Sequence, residues 1–278
     1  MPNIHGMSRR MAAAAASLGG AAILVTAAIM MPMGAGAAAA PSNPGWVATW
    51  TASPLGGDTT QFSNQTVRNI IYTSVSGSEV QLRLSNTFGS QPVEVGATSL
   101  GVVLDGAQLV PGTSHSVTFG GHVSVTIPAG EQVLSDPIDM RLPRLTELAV
   151  DLYLPSPTGP ATYHQLAWQT NFVASGDHVG DAASTAYTTK VGSWYFVDGV
   201  DVRNHATPGT VVAFGDSITD VGHSEVDSEA RWPNYLSRRL DTVLRNNAPA
   251  VVDAGISGNR GAQRFELLRA EYLDPLPA

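Results

Sequence analysis

Apolar and polar residues along much of the chain alternate at short range, and turn residues break the pattern every few positions. Val80-Gln81-Leu82-Arg83-Leu84 alternates with period two, the pattern of a strand that buries one face. Strand-like runs also occupy residues 67–73, 117–119, 123–127 and 148–154, and Pro111-Gly112, Gly120-Gly121 and Pro128-Ala129-Gly130 mark turns between them. A Pro/Ser/Asn/Gly linker at 41–45 leads into this region, which shows no internal repeat and no long helical period. Many short strands with such turns predict an all-β, sandwich or jelly-roll-like domain over residues 41–207. Its roughly 165 residues suffice for one hydrophobic core.

The pattern changes at Thr207-Pro208-Gly209. Val211-Val212-Ala213-Phe214 is a continuous apolar run, as expected of a parallel strand covered on both faces. Residues 232–245 follow a helical period, with Trp232, Tyr235, Leu236, Leu240, Val243 and Leu244 on one stripe and Arg238 and Arg239 opposite. A second parallel strand is predicted at 250–253 and a second helix at 265–273, before Asp274-Pro275-Leu276-Pro277-Ala278. Strand, helix, strand, helix predicts the start of a doubly wound α/β domain over 208–278. So short a piece supplies too few elements to cover its sheet, so an exposed, association-prone edge is expected.

Residues 1–40 contain no acidic residue and only Arg9 and Arg10 as fixed charges. Positions 11–33 are almost wholly apolar, and Ala35-Gly36-Ala37 and Ala37-Ala38-Ala39 both fit a small-residue cleavage site. Residues 1–39 therefore read as a secretory signal peptide, and the mature protein as secreted. Ser8-Arg9-Arg10 leaves the general and twin-arginine routes both open, and Met7 is an alternative start. An uncleaved membrane anchor is the rival reading; the Ala/Gly content favours cleavage.

The remainder carries 13 basic and 23 acidic residues, a formal charge of −10, with Lys190 the only lysine. That balance argues against nucleic-acid partners and anionic membrane surfaces. No stable membrane partner is expected after signal cleavage. The absence of cysteine excludes disulfides, a thiol nucleophile and a lipid anchor on cysteine.

The chemistry centres on Gly215-Asp216-Ser217-Ile218-Thr219-Asp220, directly after the apolar run. A serine between the carboxyl end of a strand and the start of a helix is placed as a nucleophile, with backbone N–H groups nearby to hold an anion. This segment resembles the nucleophile block of the GDSL, or SGNH, family of serine ester hydrolases. Ala254-Gly255-Ile256-Ser257-Gly258-Asn259-Arg260 resembles that family's second block, and Arg231-Trp232-Pro233-Asn234-Tyr235-Leu236 the helix start between them. Trp46-Val47-Ala48-Thr49-Trp50, Leu84-Ser85-Asn86-Thr87-Phe88-Gly89, Tyr153-Leu154-Pro155 and Ser193-Trp194-Tyr195-Phe196 are similar to the upstream part of secreted actinobacterial-type members.

The resemblance implies acyl transfer with Ser217 as nucleophile and oxyanion N–H donor, and Gly258 as a second oxyanion donor. Gly215 and Asp216 would support the turn. The family's asparagine block and its Asp-x-x-His block are not present, so the catalytic His, its Asp and the oxyanion Asn have no counterpart here. Asn259 belongs to the second block. Only 61 residues follow Ser217, and no histidine follows His223. Asp220-Val221-Gly222-His223 fits Asp-x-x-His literally, but it is too close along the chain to approach the serine from the opposite lip.

The expectation is a secreted carboxylic-ester hydrolase that is inactive or incomplete as this chain, C-terminally truncated, with an acylated polysaccharide or a lipid ester as substrate. The alternative is a non-catalytic secreted carbohydrate-binding module with a vestigial hydrolase segment. No cofactor or metal enters this chemistry. His164 and His178 read as surface or interdomain packing residues, and the five tryptophans, Trp46, Trp50, Trp168, Trp194 and Trp232, as core anchors rather than a sugar platform. Asn64-Gln65-Thr66 matches the glycosylation pattern, which occurs often by chance.

Overall fold

The computed structural model describes residues 45–221 and 225–259. The chain opens with β1 (Trp46–Thr51), β2 (Gln65–Tyr72), β3 (Val80–Ser85), β4 (Val93–Val95) and β5 (Ala97–Asp105). Four short strands follow, β6 (Gln108–Leu109), β7 (His115–Ser116), β8 (Val125–Ile127) and β9 (Gln132–Leu134). Then come β10 (Glu147–Leu154), β11 (Tyr163–His164), β12 (Asn171–Ser175), β13 (Thr189–Val191), β14 (Trp194–Tyr195) and β15 (Val197–Arg203). Last are β16 (Thr210–Gly215), α1 (Ser217–Asp220), α2 (Trp232–Leu244), a 3₁₀ turn at Arg245–Asn247 and β17 (Ala250–Gly255).

Up to β15 the strand pairs are antiparallel. One sheet has the order β1-β15-β3-β9, and a larger, seven-stranded one runs β13-β12-β2-β10-β5-β6, with β7 paired to β5. Both contribute to a single core. Val80, Leu82 and Leu84 of β3, Val200 and Val202 of β15, Val67 and Ile71 of β2, and Leu148, Val150 and Leu152 of β10 are fully or nearly fully buried in it. The period-two pattern of β3 has a direct outcome. Its polar positions face the other way, Gln81 donating to the Ser135 carbonyl and Arg83 pairing with Asp198 of β15 at 3.1 Å.

The larger sheet is buried on both faces. Ile70, Ala149 and Phe172 form a second, smaller cluster on its outer side with Ala107, Leu109 and Tyr187. There Arg68 of β2 lies directly opposite Asp151 of β10 and makes a two-pronged ion pair with it, at 2.7 Å for each contact. The Tyr187 ring caps the guanidinium at 3.9 Å.

The expected continuation, a doubly wound α/β domain of flavodoxin type after a β-sandwich-like domain, is not what the described residues form. Strand makes up 41% of them and helix only 9%, so the structure is a curled, mainly-β one. The parallel part is one crossover: β16 and β17 pair in parallel, with α1, α2 and the 3₁₀ turn between them among the described residues. The physical reason lies in what covers β17. Its Ala250, Val251, Val252 and Ala254 are buried against the antiparallel body. Thr51 Oγ1 of β1 donates to the Asp253 carbonyl at 2.8 Å, and the Val251 N–H donates to Ser74 Oγ at 3.2 Å. Parallel strands need cover on both faces, and here the body supplies it where a doubly wound domain would use further helices.

The helical stripe is also turned. Residues 232–244 are helical as the period predicts, but the helix buries Pro233 and Ser237. Trp232, Tyr235, Val243 and Leu244 of the apolar stripe are 43–72% exposed. Polar contacts fix this orientation: Arg144 pairs with Asp241, Arg144 Nη2 donates to Asn246 Oδ1 at 2.8 Å, and Ser237 faces the Ser74 carbonyl. Val211, Val212 and Phe214 of β16 are likewise 40–45% exposed. No helix among the described residues is long and apolar enough to cross a membrane. Residues 1–39, read as the signal peptide, and the helix expected at 265–273 lie outside the described residues.

Candidate active site at the edge of the parallel strands

Ser217 stands where β16 gives way to α1. Asp216 is the N-cap: its backbone is extended and its Oδ1 accepts the Ile218 N–H at 3.0 Å. Its carbonyl accepts the N–H groups of Thr219 and Asp220, at 3.0 and 2.9 Å. The helix-start donors expected to hold an anion are therefore already taken, and a carboxylate stands among them. An oxyanion here would have to use the N–H of Ser217 itself.

Gly215 is tightly enclosed. A Cβ there would lie 1.7 Å from Thr219 Oγ1, and Thr219 is buried. Ser217 is exposed.

β17 runs in register with β16, Gly215 opposite Gly255. Just beyond, the Ile256 carbonyl accepts the Asn259 N–H at 3.2 Å, which closes a turn over Ser257 and Gly258. Gly258 has φ of +81°, a conformation that L side chains rarely adopt, with open space around its Cα. Ser217 and Gly258 thus share the carboxyl edge of two neighbouring parallel strands. That edge is where ligands bind in open parallel sheets.

Behind the edge lies a buried polar junction. Asp220, the last residue of α1, uses both carboxylate oxygens: Oδ1 contacts His164 Nε2 at 2.9 Å and Oδ2 accepts the Ser257 N–H at 2.7 Å. The other ring nitrogen, His164 Nδ1, lies 2.8 Å from the Ser53 carbonyl oxygen. Burial alone would lower the proton affinity of His164, but the hydrogen bond and charge of Asp220 override it and raise its pKa. Burial opposes ionisation of Asp220, yet His164 and the Ser257 N–H hold its pKa below the usual carboxylate value.

Arg231, just ahead of α2, donates from Nε to the Asp220 carbonyl at 2.6 Å and from Nη2 to the Ala167 carbonyl. His164, Asp220 and Arg231 line a cavity of about 40 Å³, together with Asp253 and Glu229. Burial pushes both carboxyls up to about 7, with Arg231 pulling the other way. Asp253 Oδ1 accepts the Gly255 N–H at 2.7 Å, while its buried Oδ2 has no protein partner among the described residues.

His223 and Arg260 lie outside the described residues. Both Asp220 oxygens have partners among the described residues, His164 and the Ser257 N–H. His178 contacts Asp181 at 2.9 Å near Tyr187, away from this junction. No group of three His, Cys, Asp or Glu side chains suited to a metal occurs among the described residues. Trp50 and Trp194 are buried, packed edge to face at 5.0 Å, whereas Trp46 lies under the Arg203 guanidinium and Trp232 stands on the surface of α2.

Sequence reasoning missed Arg231 and Asp253 and gave His164 a packing role only. A usable signal existed for Asp253, a lone carboxylate inside Ala250-Val251-Val252-Asp253-Ala254. His164 and Asp220 are 56 residues apart and carry no local signal. Comparison with family models and with curated proteins finds no match.

Proposed function

We propose that Ser217 is the nucleophile of an acyl-transfer site, and that the protein is a secreted chain acting on carboxylic esters. The observation that carries this reading is the placement of exposed Ser217 and Gly258 on one carboxyl edge through the register of β16 and β17. The motif resemblance supports it from the sequence side. In the reaction, the Ser217 oxygen bonds to the ester carbonyl carbon, the alcohol departs with a proton, and water later releases the acid. The Ser217 and Gly258 N–H groups would stabilise the intermediate oxyanion.

The base is the weak part of this machinery. His164, the histidine tied to Ser217's own helix, has both ring nitrogens engaged and is buried. Serine hydrolases without a working triad keep only about 10³–10⁴ over the uncatalysed rate. The expected behaviour is therefore acylation of Ser217 with slow turnover. Incubation with p-nitrophenyl acetate followed by intact mass measurement tests this. One acetyl adduct, lost in Ser217→Ala, is expected. Ester cleavage with no adduct, and unchanged by Ser217→Ala, would reject it.

A further inference from the structure

We propose that His164 is a buried imidazolium and that its pairing with Asp220 is a proton-dependent clasp fixing the Ser217–Gly258 edge to the antiparallel body. The Ser53 carbonyl can only accept, so Nδ1 must carry a proton. Nε2 faces Asp220 Oδ1 at 2.9 Å, so one further proton must lie between them.

The surroundings place that proton on the ring. Asp220 already accepts the Ser257 N–H on its second oxygen, which favours the anion; Arg231, on the Asp220 main-chain carbonyl, also favours the anion but opposes charge on the ring, and the direct Asp220 contact outweighs it. The other charged groups facing the pair are Asp253 of β17 and Glu229 ahead of α2, beside Arg231. The Trp194 ring lies 5.4 Å from the imidazole and lines the same cavity.

Removing the second proton leaves two lone pairs facing each other in a water-poor site. If the remaining proton shifts to Nε2, the same conflict moves to the Ser53 carbonyl. Either way one of the two contacts becomes repulsive. The clasp therefore has two states, closed with the imidazolium and open with the neutral ring.

Its consequence reaches the candidate site through short connections. Ser217 is the first residue of α1 and Asp220 the last, and the Ser257 N–H held by Asp220 immediately precedes Gly258. His164 and Asp220 are thus positioning residues for the edge, and this holds whether or not Ser217 proves to be a nucleophile.

Ring ¹⁵N spectroscopy of the whole chain, with amide exchange at Ser257, tests the proposal without reference to ester chemistry. At neutral pH both His164 nitrogens should be protonated. As the ring loses its second proton at higher pH, the Ser257 amide should lose about tenfold or more of its protection relative to its intrinsic exchange rate. In Asp220→Asn the ring should deprotonate at lower pH than in the parent. A singly protonated His164 at and below neutral pH, or Ser257 protection that stays constant through the titration, would overturn it. Should Asp220→Asn fail to fold, the parent titration decides alone.

Discussion

Arg231 Nε donates to the Asp220 carbonyl at 2.6 Å, so a guanidinium leading into α2 holds the end of α1 from behind. The same side chain reaches the Ala167 carbonyl, lies 5.4 Å from the Trp194 ring, and is the nearby cation for Glu229 and Asp253. Lysine cannot reproduce this fork of donors. Arg231→Lys and Arg231→Met are both expected to destabilise the chain, the latter by about 1–3 kcal/mol because the buried Asp220 and Ala167 carbonyls lose their donor. Urea unfolding followed by tryptophan fluorescence measures this, and a loss below about 1 kcal/mol for Arg231→Met would contradict it.

The pH dependence has a definite sign. Glu229 and Asp253 are pushed up to about 7, and Asp198, buried against Arg83, to about 6. The folded chain therefore holds protons that the unfolded chain releases near pH 4. Stability must fall as pH rises from about 4 to about 7. His164, raised by Asp220, extends the fall beyond its ordinary value of about 6.5. Asp220, lowered by His164, works oppositely, but its contribution is lost only in acid below the usual carboxylate value. Maximum stability is expected on the acidic side of neutral, with a loss on the order of a few kcal/mol by mild alkali. Urea midpoints across this range provide the test; a midpoint that rises from acid through neutral would refute the assignment.

The exposed stripe of α2 gives a sharper test of the packing. Val243 is 72% exposed and Ser237 is buried facing the Ser74 carbonyl. Val243→Lys should change stability by less than about 0.5 kcal/mol. Ser237→Leu should cost about 1–3 kcal/mol by overpacking. Thermal melts of the two variants check the orientation, and the reverse order would mean that the apolar stripe faces inward.

That helix also shows how much the sequence revealed. Its period and boundaries were legible because they depend on spacing alone. Which side packs inward depends on partners far along the chain, Arg144 and Ser74 among them, and no local pattern encodes those. The strand β3 was legible in full, since one buried face writes itself as alternation. The doubly wound expectation extended a single crossover into a domain, whereas the face of β17 is covered by β1 and its neighbours. Ser217, Gly215 and Asp216 were readable from a six-residue block. The polar junction that holds them comes from β11, the segment ahead of α2, and β17, and is assembled only by folding.

Away from the site, Arg68 of β2 and Asp151 of β10 meet directly across the strand pair. Asp151→Ala leaves a fully buried guanidinium without its carboxylate, at an expected cost of about 3–5 kcal/mol. Denaturant unfolding measures it. An unchanged midpoint would mean that Tyr187 and the Ala107 and Asp181 carbonyls suffice for Arg68.

The most direct test of the central claim, that Ser217 is a nucleophile set on the edge with Gly258, is exposure of the folded chain to a fluorophosphonate ester and mapping of the modified peptide. A single phosphonyl adduct on Ser217 is expected, absent in Ser217→Ala and slowed in Gly258→Val, whose side chain cannot adopt the turn without strain. No adduct, or one on another serine that persists in Ser217→Ala, would contradict it.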